Sequence, residues 1–374
     1  MQKTLSKAAV SEGLQKAGLS QAELARRLGV SPQAVTNWLK GQDFPRPDKL
    51  LKLSMLLRLD FAELVTQSDE GAPVIAFRKR ANTKTTERHL AHAREIGMLL
   101  KQLVPFLPPG HSLRPRLDTA TTEYAALQRT VAEVRTKLGL GDRAVLDYHH
   151  LIGQFKEAGA VLVPVLWGEK QLHANALHIA LPAERVTFVL VNLDTKLEDF
   201  KFWMAHELAH VYTPYMAGKE EGEDFADAFA GALLFPQPCA IEAYGDAARS
   251  KRETSALAAL QEHAQHHAIS LYTVFCQARN YQRHYDLPPM AIDEVKLHKA
   301  RNASPAALVS HAMFDRPPPS AREYIAAAEQ VFQSDFYVAL RAMMRERGIE
   351  AGFVQQLLDI GLVDAKAIYA ELVR

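Results

Sequence analysis

The sequence predicts a mostly helical chain with one small α+β domain. Three observations carry that reading: two short amphipathic segments joined by a tight break between Ser20 and Gly41, three brief β-branched runs between Val161 and Leu193, and helical periodicity after Gly245. At 374 residues the chain can bury a substantial core without a disulfide or metal staple. Four segments are expected: an all-helical domain at 1–67, a basic helical connector at 68–134, the α+β domain at 135–245 and a helical C-terminal domain at 246–374.

Net charge is +1, with 48% hydrophobic and 23% charged residues, so partners must be argued from local charge. Cys239 and Cys276 are the two cysteines; there is no apolar run of membrane-spanning length and no charged-then-apolar leader. A reducing cytoplasm and no membrane partner are the expectation.

In the first domain, Leu24, Ala25 and Leu28 share one helical face, Gly29-Val30 breaks it, and Ser31 caps a second helix with Pro32 at its first position. Val35, Trp38 and Leu39 supply the second apolar face. Two short helices around a tight turn are the helix-turn-helix layout. GLSQAELARRLGVSPQAVTNWLKG resembles the core of Xre-type DNA-binding domains, and the resemblance spans roughly Leu5 to Val65. In that layout the second helix enters the major groove, so Gln33, Thr36, Asn37 and Lys40 are candidate base readers and Gln21 a candidate phosphate contact. The weak positive charge of the segment argues for dimeric or low-affinity binding, and a homodimer on DNA is one of those two readings.

The connector carries Arg78, Lys79, Arg80, Lys84, Arg88, Arg94 and Lys101. It reads either as a nucleic-acid contact or as a solvated face. Helices are expected over Thr122–Leu138 and Asp142–Ala158. Strands are expected over Val161–Trp167, Ala176–Leu181 and Val186–Leu193.

Directly after the strands comes FWMAHELAHVYTP, Phe202 to Pro214. His206 and His210 are four apart, so a helix stacks both imidazoles on one face, while Met204, Leu208 and Val211 lie at core spacing on the other. In HExxH the histidines hold zinc and the glutamate, here Glu207, stays off the metal to take a proton from water. A catalytic zinc needs a third protein ligand. The next amphipathic segment, EDFADAFAGALLFP, offers Glu223, with Asp227 and Glu221 as the next candidates; Asp227 lies one turn along, placed to orient a ligating histidine. One Zn2+ per chain is expected.

FWMAHELAHV followed by E-x-x-A-D-x-F-A-x-x-L-L-x-P resembles the ImmA/IrrE-type metallopeptidases, with Glu223, Ala226, Asp227, Phe229, Ala230, Leu233, Leu234 and Pro236 matching their second motif. That family often carries asparagine at the position of Asp227. The resemblance runs from about Arg135 to Pro236 and implies a minimal zincin-like zinc peptidase domain. It implies an endopeptidase that regulates transcription by cleaving a helix-turn-helix repressor, in a stress, DNA-damage, phage-defence or mobile-element setting. The rival is a DNA-binding regulator whose zinc domain is a non-catalytic sensor. Both share every motif.

Three further features invite roles. Cys239, just past Pro236, reads as a small core residue or as a thiolate closing the open zinc position. His263, His266 and His267 read as a hydrated helix face or a second metal cluster. Tyr212, Tyr215, His266 and His267 are candidates to hydrogen-bond a tetrahedral intermediate.

Overall fold

The computed structural model describes residues 2–39, 43–68, 72–77, 87–111, 116–167, 176–303 and 307–374. The chain divides into two compact units, Met1–Ala72 and Pro73–Arg374.

The first unit contains β1 (Gln2–Leu5), α1 (Lys7–Ala17), α2 (Gln21–Leu28), α3 (Pro32–Leu39), α4 (Pro47–Leu57), α5 (Phe61–Leu64) and β2 (Val65–Ser68). Ser20 caps α2 by accepting from the Glu23 N–H, and Ser31 caps α3 by accepting from the Ala34 N–H. Between the two helices Gly29 takes φ +67°, a left-handed conformation that costs a residue with a Cβ. Leu24, Ala25, Leu28, Val35 and Trp38 are buried in one core with Leu53, Leu57 and Leu64. The domain is not all-helical, however. β1 and β2 pair antiparallel, Gln2 opposite Ser68 through Leu5 opposite Val65, and join the two ends of the unit. Four-residue strands are too short to leave a period in the sequence, and their partner lies about sixty residues away.

The second unit begins with β3 (Val74–Phe77) and α6 (Glu87–Leu103), followed by a short 3-10 turn, α7 (Tyr124–Lys137) and α8 (Tyr148–Glu157). Next come β4 (Ala160–Val165), β5 (Ala176–Leu181), β6 (Val186–Asn192), α9 (Leu197–Tyr212) and α10 (Glu220–Leu234). The remainder is α11 (Gln237–Arg249), α12 (Glu253–His267), α13 (Leu271–His284), α14 (Glu294–Ala303), α15 (Val309–Met313), α16 (Ala321–Gln330), α17 (Phe336–Arg347), α18 (Ala351–Leu358) and α19 (Leu362–Leu372).

The sheet order is β3-β5-β6-β4, with β4 and β6 parallel and the other two pairings antiparallel. Every residue of β4, β5 and β6 is buried, and the strands divide their side chains between two cores. Ala160, Leu162, Ala176, Val189 and Val191 pack with α7 to α13. Val161, Val163, Val165, Leu177, Ile179, Phe188 and Leu190 pack with α6 and α16 to α19. Helices on both faces explain why these runs are mostly apolar instead of alternating, with His178, Thr187 and Asn192 as buried exceptions.

Several expected boundaries change. The connector 68–134 is no separate segment, because β3 joins the sheet and α6 packs on it; nor is 246–374 a separate domain, because α16 to α19 cover a sheet face. Tyr324 donates to the Pro164 carbonyl at 2.6 Å and Trp167 to the Leu358 carbonyl at 2.9 Å, fixing that layer to β4. The second expected helix starts at Tyr148, not Asp142, because Asp147 caps it: its carboxylate accepts from the His149 N–H and its own N–H donates to His150 Nδ1. Among the described residues no helix is long and apolar enough to cross a membrane.

Two buried cations hold helix ends together. Arg135, 1% exposed, donates to the carbonyls of Leu233, Gly141 and Ala144, tying α7 to the end of α10. Lys201, also 1% exposed, donates from Nζ to the His267 carbonyl at 2.6 Å, where the last turn of α12 presents its negative end. Burial lowers the Lys201 pKa from 10.5 to about 8, with Asp147 pulling weakly the other way. Below about pH 8 both folded and unfolded lysine hold the proton and the cost of burying the charge is constant. Between about 8 and 10.5 only the unfolded chain still holds it, so stability rises with pH. The expected total is about 3 kcal/mol. Urea denaturation across this window should show that rise in wild type and lose it in Lys201→Met; identical pH slopes would refute the assignment.

Candidate metal centre and nucleic-acid interface

α9 follows β6 and crosses the sheet face that carries Ala176, Val189 and Val191. Met204, Leu208 and Val211 are fully buried, as their spacing requires. His206, Glu207 and His210 are buried as well, at 1%, 2% and 3% exposure, so each polar group needs a partner within the fold.

Those partners come largely from α10. Its Phe225, Ala226, Phe229, Ala230 and Leu233 enter the core, while Glu223 and Asp227 face α9 with side chains 36% and 41% exposed. A close turn makes this approach possible. A Cβ at Gly222 would lie 2.6 Å from the Met216 carbonyl oxygen, so the residue before Glu223 has to be glycine for α10 to start here.

The donor atoms converge. His206 Nε2 and His210 Nε2 are 3.1 Å apart, Glu223 Oε2 is 3.5 Å from His206 Nε2, and Glu223 Oε1 is 3.3 Å from His210 Nε2. Ligands at 2.0–2.1 Å from a tetrahedral zinc would lie about 3.3 Å from one another. Among the described residues, His206, His210 and Glu223 form the one cluster with metal-ligand spacing. Two imidazoles and a carboxylate are also a donor set that zinc accepts. Asp227 Oδ1 is 3.0 Å from His206 Nδ1; as acceptor it holds the proton on Nδ1 and turns the Nε2 lone pair inward.

Burial alone would raise the Glu223 pKa, but hydrogen bonds to His206 and His210 outweigh it and hold the carboxyl well below its usual range. Burial likewise pushes Glu207 upward and is outweighed by a hydrogen bond to His178 and by the charges of His178, His206 and His210. His178 is the residue that sequence reasoning missed. It sits in β5, 3% exposed, with Nδ1 3.0 Å from Glu207 Oε2 and its ring edge-to-face against His210 at 5.5 Å. The signal was a single imidazole inside the apolar run ALHIAL.

Other candidates are placed elsewhere. Cys239 is 3% exposed, and burial pushes its thiol up to about 11, so it is a core residue beside Arg135 and not a thiolate at the metal cluster. The histidine triplet is no uniform hydrated face: His263 pairs with Asp246 at 2.9 Å, and His267 is buried edge-to-face on Phe235. Tyr212 donates to Gln154 Oε1 at 2.7 Å, whereas Tyr215 is 42% exposed in the turn after α9.

On α3, Gln33 is exposed and donates from Nε2 to Asn37 Oδ1 at 2.8 Å, so the two amides form one unit. The Thr36 hydroxyl turns back to the Pro32 carbonyl at 3.1 Å. Gln21 is exposed at the first turn of α2. Lys40, and Arg78, Lys79, Arg80 and Lys84 of the basic connector, lie outside the described residues, as does the side chain of Arg88. Arg94 is exposed, and Lys101 pairs with Glu184 at 3.0 Å.

Two sets of variants test these sites. Alanine at His206, His210 or Glu223 should each strip most zinc by elemental analysis, Asp227→Ala should weaken zinc about 10- to 100-fold in chelator competition, and Glu207→Gln should retain it. Full occupancy in Glu223→Ala would move the third ligand elsewhere. Gln33→Ala and Asn37→Ala should each cost about 1–3 kcal/mol at a selected DNA site. Because the amides are joined, the double variant should lose less than the sum; full additivity would show that they act separately.

The helix-turn-helix family (HTH_3) matches residues 10–64, which gives the first unit as an Xre-type DNA-binding domain. The chain is similar to the 26 kDa repressor protein of Escherichia phage HK022, 37% identical over 71 residues that make up 18% of this chain and 30% of the repressor. It is also similar to COMM domain-containing protein 2 of Pongo abelii, at 31% identity over 116 residues covering 31% of this chain and 54% of that protein. The Mus musculus protein of that name is 28% identical over 144 residues, 36% of this chain and 68% of its own length. No solved structure matches.

Proposed function

We propose that this chain is a DNA-binding transcription regulator whose second unit is a zinc-dependent endopeptidase acting on a partner helix-turn-helix repressor. The observation that carries the peptidase half is the triangle of His206, His210 and Glu223 donor atoms at 3.1–3.5 Å, with the buried Glu207 carboxylate on the same helix. The regulatory half rests on the helix-turn-helix match and on the likeness to a phage repressor.

A zinc ion held by His206, His210 and Glu223 would supply Lewis acidity, polarising the scissile carbonyl and making a water acidic enough to lose its proton near neutral pH. The residues of the chain do the rest. Glu207, whose Oε2 is hydrogen-bonded to His178, takes the proton from the attacking water and returns it to the departing amine as the C–N bond breaks. Asp227 keeps the His206 ring in one tautomer. His178, His206 and His210 are buried, so the partly exposed Glu223 and Asp227 of α10 mark the side from which substrate would approach.

Joining this site to a DNA-binding domain gives it a narrow target. Tethering near a repressor on the same DNA, or beside that repressor's similar domain, raises the effective substrate concentration to roughly millimolar. The deciding experiment incubates the zinc-loaded full chain with a helix-turn-helix repressor from the same cell, with and without that repressor's operator DNA. Wild type should yield defined fragments and induce the promoter, and Glu207→Gln should leave the repressor intact and the promoter silent. Equal induction by both proteins at matched levels would reject proteolysis in favour of a non-catalytic metal sensor.

A further inference from the structure

Glu207 makes a contact that metal binding does not require. His178 occupies an interior strand, its Cα opposite Ala76 of β3 on one side and Val189 of β6 on the other. Its strand neighbours Leu177 and Ile179 belong to the far core, so alternation sends the imidazole toward α9, between Ala176 and Ala180. An imidazole buried there is costly unless it is hydrogen-bonded. Its partner is Glu207 Oε2 at 3.0 Å, a carboxylate itself 2% exposed and 29 residues distant in sequence.

We propose that His178 is the positioning residue of Glu207: its Nδ1–H holds Oε2, so that Oε1 is left to meet the proton of an incoming water. An ionised carboxylate only accepts, which makes Nδ1 the protonated ring nitrogen. A glutamate has three rotatable side-chain bonds, and one anchored oxygen fixes the direction of the other. The same ring packs edge-to-face on His210 at 5.5 Å, so one side chain of β5 touches both the carboxylate and the His210 ring. Small residues on either side of His178 leave room for this, whereas a leucine at 178 would fill the space and donate nothing. The consequence for catalysis rests on the peptidase reading; the hydrogen bond does not.

The test uses the full chain and three variants. Asparagine places its Nδ2 close to where histidine has Nδ1, so His178→Asn keeps a donor, while His178→Leu keeps bulk without one. In metal-free protein labelled with 15N-histidine, His178 should give an Nδ1–H signal that disappears in His178→Asn and moves on Glu207→Ala. In zinc-loaded protein assayed on a mixture of quenched fluorogenic peptides, His178→Leu should lower kcat on the order of 100-fold, with KM and zinc content unchanged. His178→Asn should recover most of that loss. An Nδ1–H signal that is absent, or indifferent to Glu207→Ala, would overturn the pairing. Equal kcat in wild type and His178→Leu, failure of asparagine to rescue, or loss of zinc in His178→Leu would overturn the positioning role. If wild type cleaves neither the peptides nor the repressor, the peptidase reading and the catalytic consequence fall together, while the histidine spectrum still decides the pairing.

Discussion

The site depends on one constraint: α9 is buried at every residue from Met204 to Tyr212, yet carries two histidines and a glutamate within five residues of that stretch. In a low-dielectric interior each of those groups must find a partner. Asp227 answers Nδ1 of His206, Glu223 faces the two Nε2 atoms, and His178 answers Glu207. A leucine at any of these partner positions would leave a polar group stranded at a cost of about 1–3 kcal/mol. Folding and function therefore press on the same residues, and the polar cluster is assembled by the packing that buries it.

That packing is a sheet with helices on both sides. Strand alternation sends Ala176, His178 and Ala180 toward α9 and Leu177, Ile179 and Leu181 toward the opposite helices. The small alanines lower the floor beneath α9, and His178 stands up from it. The buried Arg135 and Lys201 contribute in a different way, each donating to carbonyls at helix ends that would otherwise be buried without a donor. Lys201 carries a desolvation cost for this, visible in its depressed pKa.

Much of the site was legible because the chemistry was local. His206 and His210 share a face by helical period alone, and Glu223 and Asp227 repeat the same spacing on the next helix. β4, β5 and β6 were readable from their β-branched composition, with β5 matching its expected bounds. β1, β2 and β3 were not, because a four-residue strand carries too little pattern to outweigh its neighbours. Cys239 also stayed ambiguous in sequence; only its burial beside Arg135 separates a core thiol from a reactive one.

By itself the sequence determined what is set within a few residues: the cap at Ser31, the break at Gly29-Val30, the stacked imidazoles of α9 and the carboxylate pair of α10. Tertiary structure alone decided that β3 leaves the connector to join the sheet, that α16 to α19 cover its far face, and that His178 meets Glu207. The physical reason is range. Helix period and capping are written in adjacent residues, whereas a buried histidine in a strand is satisfied only by whichever acceptor the packing of distant elements brings within about 3 Å.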